Sequence, residues 1–115
     1  MLLSNTKIGK DFEAQAAQEL RRLGWSVLSQ NYHTPYGEID IVCSKDGCLW
    51  FVEVKGSSGN QIDYERVNRS KQKRLRQSVN HWLMMESHPY EALELVVCFV
   101  TNMGLDWISN AFDGE

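Results

Sequence analysis

The stretch EIDIVCSKDGCLWFVEVK, residues 38–55, carries most of the information that predicts the fold. Two apolar runs flank Asp46-Gly47, the dipeptide preferred in a two-residue β-hairpin turn of type I′. We therefore predict a strand over residues 38–43, a tight turn, and a second strand over residues 48–55. The two strands are expected to pair in an antiparallel hairpin.

This hairpin would bring four ionisable side chains together. If it contains no bulge, Asp40 lies opposite Glu53, and Glu38 lies opposite Lys55. Side chains alternate between the two faces of a strand, so all four are expected on one face. Opposed Cβ atoms lie about 5 Å apart, and two carboxylates at that distance repel by roughly 3 kcal/mol at an effective dielectric constant near 20. The acid pair therefore needs a compensating charge.

Two kinds of arrangement would supply that charge. In the first, a divalent cation binds the acids, since Mg²⁺ takes oxygen ligands from carboxylates, waters and phosphates. Together with Lys55, which could orient or deprotonate an attacking water, this would be a site for phosphodiester hydrolysis. In the second, Lys55 and Glu38 take part in ion pairs among these four groups on a solvated sheet face. The pattern alone leaves both interpretations open.

The rest of the chain adds two helices and three strands to the hairpin. Apolar residues recur at helical spacing in two segments, and the near-continuous apolar run LELVVCFV is typical of a central strand. We predict helices over 6–23 and 70–85, strands over 25–30, 93–100 and 106–108, and loops over 31–37 and 56–69. The order αβββαβ with a short last strand predicts a single α/β domain over residues 1–115, a mixed central β-sheet flanked by α-helices.

Composition indicates a compact domain and a cytoplasmic location. Of 115 residues, 43% are hydrophobic, and no apolar run approaches the ~18 residues that span a bilayer. The first residues, MLLSNTKIGK, do not resemble a secretory signal, and we expect no membrane association. Cys43, Cys48 and Cys98 lack the spacing of a zinc site or a disulfide framework, and we predict that they act as small buried hydrophobes.

The basic residues are unevenly distributed. The net charge is −3, yet six of the twelve Lys and Arg residues fall within residues 66–76, which contain no acid. Such a segment is typical either of a phosphate-binding surface or of a solvated helix face. As a phosphate-binding surface, it would contact nucleic acid through Arg66, Arg69, Lys73, Arg74 and Arg76.

Both helices could also contribute to the polar patch on the hairpin. Glu13 lies one turn from Ala16 and Ala17, and small neighbours would let it approach the sheet as a third acid. An acid at the edge of an apolar stripe can equally face solvent. On the second helix, Lys71 and Gln72 flank the apolar side and could support the patch, whereas Lys73 and Arg74 are expected to point outward.

Four short motifs resemble the YraN-like family of small bacterial proteins, which are regarded as endonucleases. The motifs are Gly9…Glu13…Ala16, Gly37-Glu38-Ile39-Asp40, Phe51-Val52-Glu53-Val54-Lys55 and Ser70-Lys71-Gln72, and the resemblance extends over residues 9–112. This family is similar to archaeal Holliday junction resolvases and belongs with the PD-(D/E)XK nucleases. The resemblance implies a restriction-endonuclease-like core and Mg²⁺ or Mn²⁺ as the cofactor.

The resemblance also implies roles for individual residues. The implied catalytic residues are Asp40, Glu53, Lys55 and Glu13. The implied metal ligands are Asp40, Glu53, Glu13 and the backbone carbonyl of Val54. At the start of the fourth strand, where relatives often have Arg-Phe-Asp, this chain has Ala92-Leu93-Glu94.

Three hypotheses of function follow. The first is a metal-dependent endonuclease that hydrolyses DNA phosphodiester bonds, on branched or otherwise structured DNA in repair or recombination. The second is a nucleic-acid-binding module without cleavage, and the third is a protein-interaction domain whose acidic face binds a basic partner. A homodimer is compatible with the first hypothesis, because junction resolvases act as two-fold dimers.

Overall fold

The computed structural model describes residues 5–56 and 69–109, with side chains from residues 11–56 and 70–109. The elements are α1 (Asn5–Arg22), β1 (Ser26–Thr34), β2 (Gly37–Lys45), β3 (Cys48–Gly56), α2 (Arg69–Glu86), β4 (Ala92–Thr101) and β5 (Gly104–Ser109). This order confirms the predicted α/β class and the restriction-endonuclease-like core. Arg66, most of the predicted loop over 56–69, and residues 110–112 lie outside the described residues, as does the side chain of Arg69.

The five strands form one mixed sheet in the order β1-β2-β3-β4-β5. All neighbouring strands are antiparallel except β3 and β4, which are parallel and are separated in sequence by α2. Strand β4 pairs on both sides, which confirms its predicted interior position, and the predicted short last strand is β5. Neither helix in the described part of the chain is long and apolar enough to cross a membrane.

The β2–β3 hairpin has the predicted turn. Asp46 and Gly47 have φ angles of 50° and 82°, and a type I′ turn requires positive φ at both of its central residues. The register from Lys45 opposite Cys48 to Ile41 opposite Val52 is the predicted one.

The two helices cover opposite faces of the sheet. On one face, the completely buried Ala16, Ala17 and Leu20 of α1 pack on a layer of strand residues: Ile41, Cys43, Val52, Val96, Cys98 and Val100. On the other face, α2 packs on Ile39, Val42, Leu49, Phe51, Val97 and Phe99. Because both faces are buried, β4 is apolar at consecutive positions instead of alternate ones. Cys43 and Cys98 lie in the α1 layer as predicted, whereas Cys48 is only partly buried.

The prediction for residues 25–37 was wrong in part. Strand β1 continues to Thr34, and only a short turn connects it to β2. Asn31, which suggested a loop, lies within the strand with a φ of 52°, a conformation that asparagine tolerates better than most residues. The hydroxyl of Thr34 donates to the Gly37 carbonyl at 2.8 Å and accepts the Tyr36 N–H at 3.1 Å, which closes the turn.

Candidate active site

The site is built around an interruption of β2 at Asp40. Ile39 packs on the α2 face and Ile41 on the α1 face, although residues two apart in a regular strand share a face. The paired register of β2 and β3 ends at Ile41 and Val52. Beyond that point, Asp40 Oδ2 accepts the main-chain N–H of Val54 at 2.7 Å, so a side chain takes the place of a backbone partner.

This interruption corrects one prediction. The expected pairs of Asp40 with Glu53 and of Glu38 with Lys55 are not part of the β2–β3 register. The prediction assumed an unbroken hairpin, but at Asp40 the alternation of side chains between the two faces of β2 is interrupted. The polar residues nevertheless meet at one place, because Glu38, Asp40 and Glu53 all line the same pocket.

Three carboxylates converge at the interruption. Each of Glu13, Glu38 and Asp40 has a carboxylate oxygen within 4.8 Å of one on each of the others. Glu13 comes from α1, whose Ala16 and Ala17 are completely buried and let the helix backbone lie close to the sheet. The structure thus brings Glu13 to the sheet by the means that the sequence predicted.

The electrostatic surroundings of these acids favour protonation. Burial raises the pKa of Asp40 to about 8, and the negative charge of Glu53 adds to the rise, while the Val54 N–H opposes it. Burial also raises the pKa of Glu13, with hydrogen bonding to Asp40 acting in the opposite direction and Glu38 reinforcing the rise. When ionised, these acids therefore repel one another in a partly desolvated place, and none of them neutralises the charge of another.

Glu53 has different neighbours. It is 8% exposed, and its Oε1 lies 3.2 Å from Lys55 Nζ and 2.9 Å from Lys71 Nζ. Burial lowers the pKa of Lys55, and the adjacent Lys71 lowers it further, whereas Glu53 opposes this change. Burial alone would lower the pKa of Lys71 as well, but its contacts with Lys55 and Glu53 raise it overall.

The pocket between these groups has a volume of about 330 Å³. Its lining residues are Tyr36, Gly37, Glu38, Asp40, Glu53, Lys71, Arg74, Leu75 and Ser78. Arg74, which was predicted to point outward, is exposed, yet it also lines the pocket, which the sequence did not predict. The missed signal is helical spacing, because Arg74 and Ser78 follow Lys71 by one and two turns on the same side of α2.

Two other predicted nucleic-acid-binding residues with described side chains, Lys73 and Arg76, do not share that side of α2. Lys73 is exposed and lies on the side of the helix away from Lys71, two residues along the chain. Arg76 is partly buried beside Val79, Leu83 and other apolar residues in a separate groove. Gln72 is partly buried next to Lys71. The basic side chains of α2 therefore point in at least two directions, and those of Lys71 and Arg74 line the pocket.

The chemistry of the acid group fits Mg²⁺ or Mn²⁺. Glu13, Glu38 and Asp40 offer only oxygen ligands, which these hard cations prefer. Glu13 Oε2 is buried and has no hydrogen-bond partner among the residues that the structure describes. A buried carboxylate oxygen without a partner is costly, and a cation would relieve that cost. Glu53 and the Val54 carbonyl, which the family resemblance implies as ligands, are not members of this group of three.

Glu94, at the position where relatives often have Asp, serves a different contact. Its Oε2 accepts a hydrogen bond from Trp50 Nε1 at 3.0 Å. Trp50 and Glu94 are directly paired near the start of β3, whereas Glu53 and Lys55 lie near its end. Glu94 thus supports the packing of a tryptophan away from the acid group.

Comparison with known proteins now identifies the family. The uncharacterised protein family UPF0102 matches residues 12–108 of the chain. The chain belongs to this family. A UPF0102 protein of Campylobacter concisus is 35% identical over 111 residues, which cover 96% of this chain and 97% of the relative. A UPF0102 protein of Prochlorococcus marinus is 36% identical, with 93% of this chain and 91% of the relative covered.

Membership of UPF0102 confirms the YraN-like resemblance that the four motifs indicated. A further UPF0102 protein, from Vibrio parahaemolyticus, is 32% identical over 96% of this chain and 95% of its own length. These names state family membership and no activity. Any activity of this chain must therefore be inferred from the chemistry of its pocket residues.

Proposed function

We propose that the protein is a metal-dependent endonuclease that hydrolyses DNA phosphodiester bonds in the pocket at the ends of β2 and β3. The observation that carries this proposal is the group formed by Glu13, Glu38 and Asp40. Two of these acids share a pocket with Glu53, the ion-pair partner of Lys55. Clustered acids in a partly buried place destabilise a protein unless something offsets their repulsion. A divalent cation offsets it and also supplies the chemistry of phosphodiester hydrolysis.

In this proposal Glu13, Glu38 and Asp40 would hold Mg²⁺ or Mn²⁺, with Glu53 as a further ligand. A cation bound there would polarise the phosphate and lower the pKa of a water. Lys55 Nζ orients the attacking water and receives its proton. The lowered pKa of Lys55 favours the neutral amine that this step requires.

Lys71 and Arg74 are the groups that contact the phosphates of the substrate in this proposal. Both line the pocket, and an arginine can bind a phosphate through two parallel hydrogen bonds. Contacts to phosphates position a nucleic acid but read no sequence. We therefore expect selection by DNA structure instead of by base sequence.

A cleavage assay tests the proposal. End-labelled four-way junction, flap, single-stranded and linear duplex DNA would be incubated with the protein and Mg²⁺ or Mn²⁺. We expect cleavage of at least one substrate, and a loss of rate by about 100-fold or more in Asp40→Asn and in Lys55→Met. Glu94→Gln is the matched control, because this acid binds Trp50 away from the pocket, and we expect it to cleave like the wild type.

Two results would contradict the proposal. One is the absence of cleavage on every substrate with both metals. The other is a cleavage activity that Asp40→Asn and Lys55→Met leave unchanged, which would indicate a contaminating nuclease.

One observation favours a second candidate, a DNA-binding module without cleavage. The ammonium groups of Lys55 and Lys71 both contact Glu53 Oε1. The most buried acid of the pocket is therefore neutralised without a metal ion. A binding module would retain DNA in the same assay, without cleavage, and would bind equally well with or without metal.

A further inference from the structure

An exposed aromatic ring borders the pocket of the proposed active site. Tyr36, in the turn between β1 and β2, is 44% exposed and lines that pocket together with Lys71 and Arg74. It also lines a second pocket beside α2, with a volume of about 240 Å³. The residues of this second pocket are Tyr36, Gln77, Asn80, His81 and Met84. Tyr36 is thus shared by both pockets and connects them.

The backbone beneath this ring is fixed. The Tyr36 N–H donates to Thr34 Oγ1 at 3.1 Å, and the same oxygen lies 2.9 Å from the hydroxyl of Ser78 on α2. Ser78 is 1% exposed. With its bond to the Gly37 carbonyl, the Thr34 hydroxyl uses its one donor and both of its acceptor positions. The turn is therefore attached to α2. Because its backbone is already held in place, the turn loses little backbone entropy when a ligand binds to the ring.

The second pocket has the chemistry of a nucleobase site. The rings of Tyr36 and His81 are 6.5 Å apart at an interplanar angle of 69°, an edge-to-face arrangement that does not stack one ring on the other. Gln77 and Asn80 add amide donors and acceptors at the rim. The helix contains no acid between Ser70 and Met85, so its wall does not repel a polyanion. Aromatic faces beside basic residues are the usual platform for unpaired bases.

Distance along α2 suits a nucleotide that follows a bound phosphate. Arg74 faces the acid pocket and His81 the second pocket, and seven residues of α-helix extend over about 10 Å. A strand with a phosphate at Arg74 could therefore place a neighbouring base in the second pocket, beside Tyr36 and His81.

We infer that Tyr36 stacks on an unpaired nucleobase next to the phosphate that Lys71 and Arg74 bind. This inference rests on the proposed function and specifies its substrate class: DNA with an unpaired base beside the cleaved bond, as in a single strand, a flap or an open junction. A paired base in linear duplex would have to leave its stack first, which costs free energy. Tyr36, with His81 beside it, would thus select the DNA structure.

A binding experiment without divalent metal separates stacking from cleavage. The wild-type protein would be titrated, in EDTA, into a labelled single strand that contains 2-aminopurine, and into the matching duplex. Base stacking on an aromatic ring quenches 2-aminopurine, and anisotropy of the label reports affinity. The variants are Tyr36→Ala and Tyr36→Phe. The matched control is Tyr90→Ala, since Tyr90 is 46% exposed and precedes Glu91, which is bonded to the hairpin turn at Gly47, at the other end of β3.

We expect Tyr36→Ala to weaken binding of the single strand by about five- to hundredfold and to abolish the quenching. Tyr36→Phe should keep both, because it keeps the ring, and Tyr90→Ala should behave like the wild type. Binding of the duplex should change much less. Melting temperatures would verify that each variant is folded.

The inference is overturned if Tyr36→Ala binds and quenches like the wild type and Tyr90→Ala. It is also overturned if Tyr36→Phe loses as much affinity as Tyr36→Ala, because the hydroxyl and not the ring would then be responsible. Either result leaves the proposed nuclease function intact. If the wild type binds none of these DNAs in EDTA, the inference fails, whereas the cleavage assay with Mg²⁺ or Mn²⁺ tests the proposed function separately.

Discussion

At the scale of single residues, Asp40 connects the fold to the proposed chemistry. Its Oδ2 accepts the Val54 N–H at the point where the backbone pairing of β2 and β3 ends. The same carboxylate lies with Glu13 and Glu38 in the acid group. One side chain therefore holds the ends of two strands together and faces two further acids. Burial and the negative charge of Glu53 raise its pKa to about 8, and the charge of Glu13 adds to the rise.

This raised pKa predicts how the metal-free protein responds to pH. Unfolded Asp40 titrates near 3.8 and folded Asp40 near 8, so between these values the folded state holds a proton that the unfolded state has lost. The stabilisation from this group is complete below pH 3.8 and is lost as the pH rises through 8. We expect the free energy of unfolding to fall from pH 5 to pH 8, by up to about 1.4 kcal/mol per pH unit from this group.

Urea unfolding in EDTA at several pH values would measure this dependence. Asp40→Asn, which cannot titrate, should flatten it, and Glu94→Gln should not. Equal pH dependence in Asp40→Asn and the wild type would mean that Asp40 does not carry the proton.

The sequence predicted part of this site at the residue scale. Asp40, Glu53 and Lys55 could be found because a two-residue turn brings the two strands that carry them side by side, although the pairs that it predicted are not in the register. Glu13 could be found because of its small neighbours. The sequence predicted that Lys71 could reach the polar patch, but not its contact with Glu53 Oε1, nor that Arg74 would line the pocket. Those contacts depend on how α2 lies on the sheet, which no local pattern specifies.

At the scale of elements, the placement of α1 depends on close contact with the end of β3. A Cβ added to Gly56 would lie 1.7 Å from Phe12 Cδ2, a distance that no side chain can occupy. Phe12 immediately precedes Glu13, so this contact sets the position of α1 where it delivers its acid. The absence of a side chain at Gly56 is thus a condition for the acid group, and the two residues are too far apart in sequence for a local pattern to show it.

We predict that Gly56→Ala displaces α1 and weakens the site. Overpacking of this kind costs about 1–3 kcal/mol of stability, and the shift of Glu13 should lower the affinity for Mn²⁺. Gly104→Ala is the control, because Gly104 has nothing within 4 Å but a φ of 127°, so it should lower stability through backbone strain alone. Calorimetric melting and Mn²⁺ titration would compare the two. Unchanged Mn²⁺ affinity in Gly56→Ala would contradict the proposed link between α1 packing and the acid group.

The sequence predicted helices and strands correctly where local sequence determines them. It failed where contacts between residues far apart in the chain determine them. Both helices and the β2–β3 turn followed from periodicity and turn chemistry. The end of β1 did not, because Thr34 is held by Ser78 of α2, 44 residues away in sequence. The same long-range contact positions Tyr36, so the proposed base site was also invisible to local patterns.

At the scale of the whole molecule, the separation of charge matters more than the net value of −3. Acids gather where β2 begins and β3 ends, while Lys71 and Arg74 of α2 line the same pocket. A polyanion can therefore approach the α2 wall even though the chain is acidic overall. A cation held by the acids would complete a pocket that attracts phosphate from both sides.

The binding of a divalent cation by Glu13, Glu38 and Asp40 is the central claim, and a thermal unfolding titration with Mn²⁺ tests it most directly. We predict that millimolar Mn²⁺ stabilises the wild type, by about 2.7 kcal/mol at one hundred times the dissociation constant, and that Glu94→Gln responds equally. Glu13→Gln and Asp40→Asn should lose most of this stabilisation. No stabilisation of the wild type, or equal stabilisation of Asp40→Asn, would contradict a metal site at these acids.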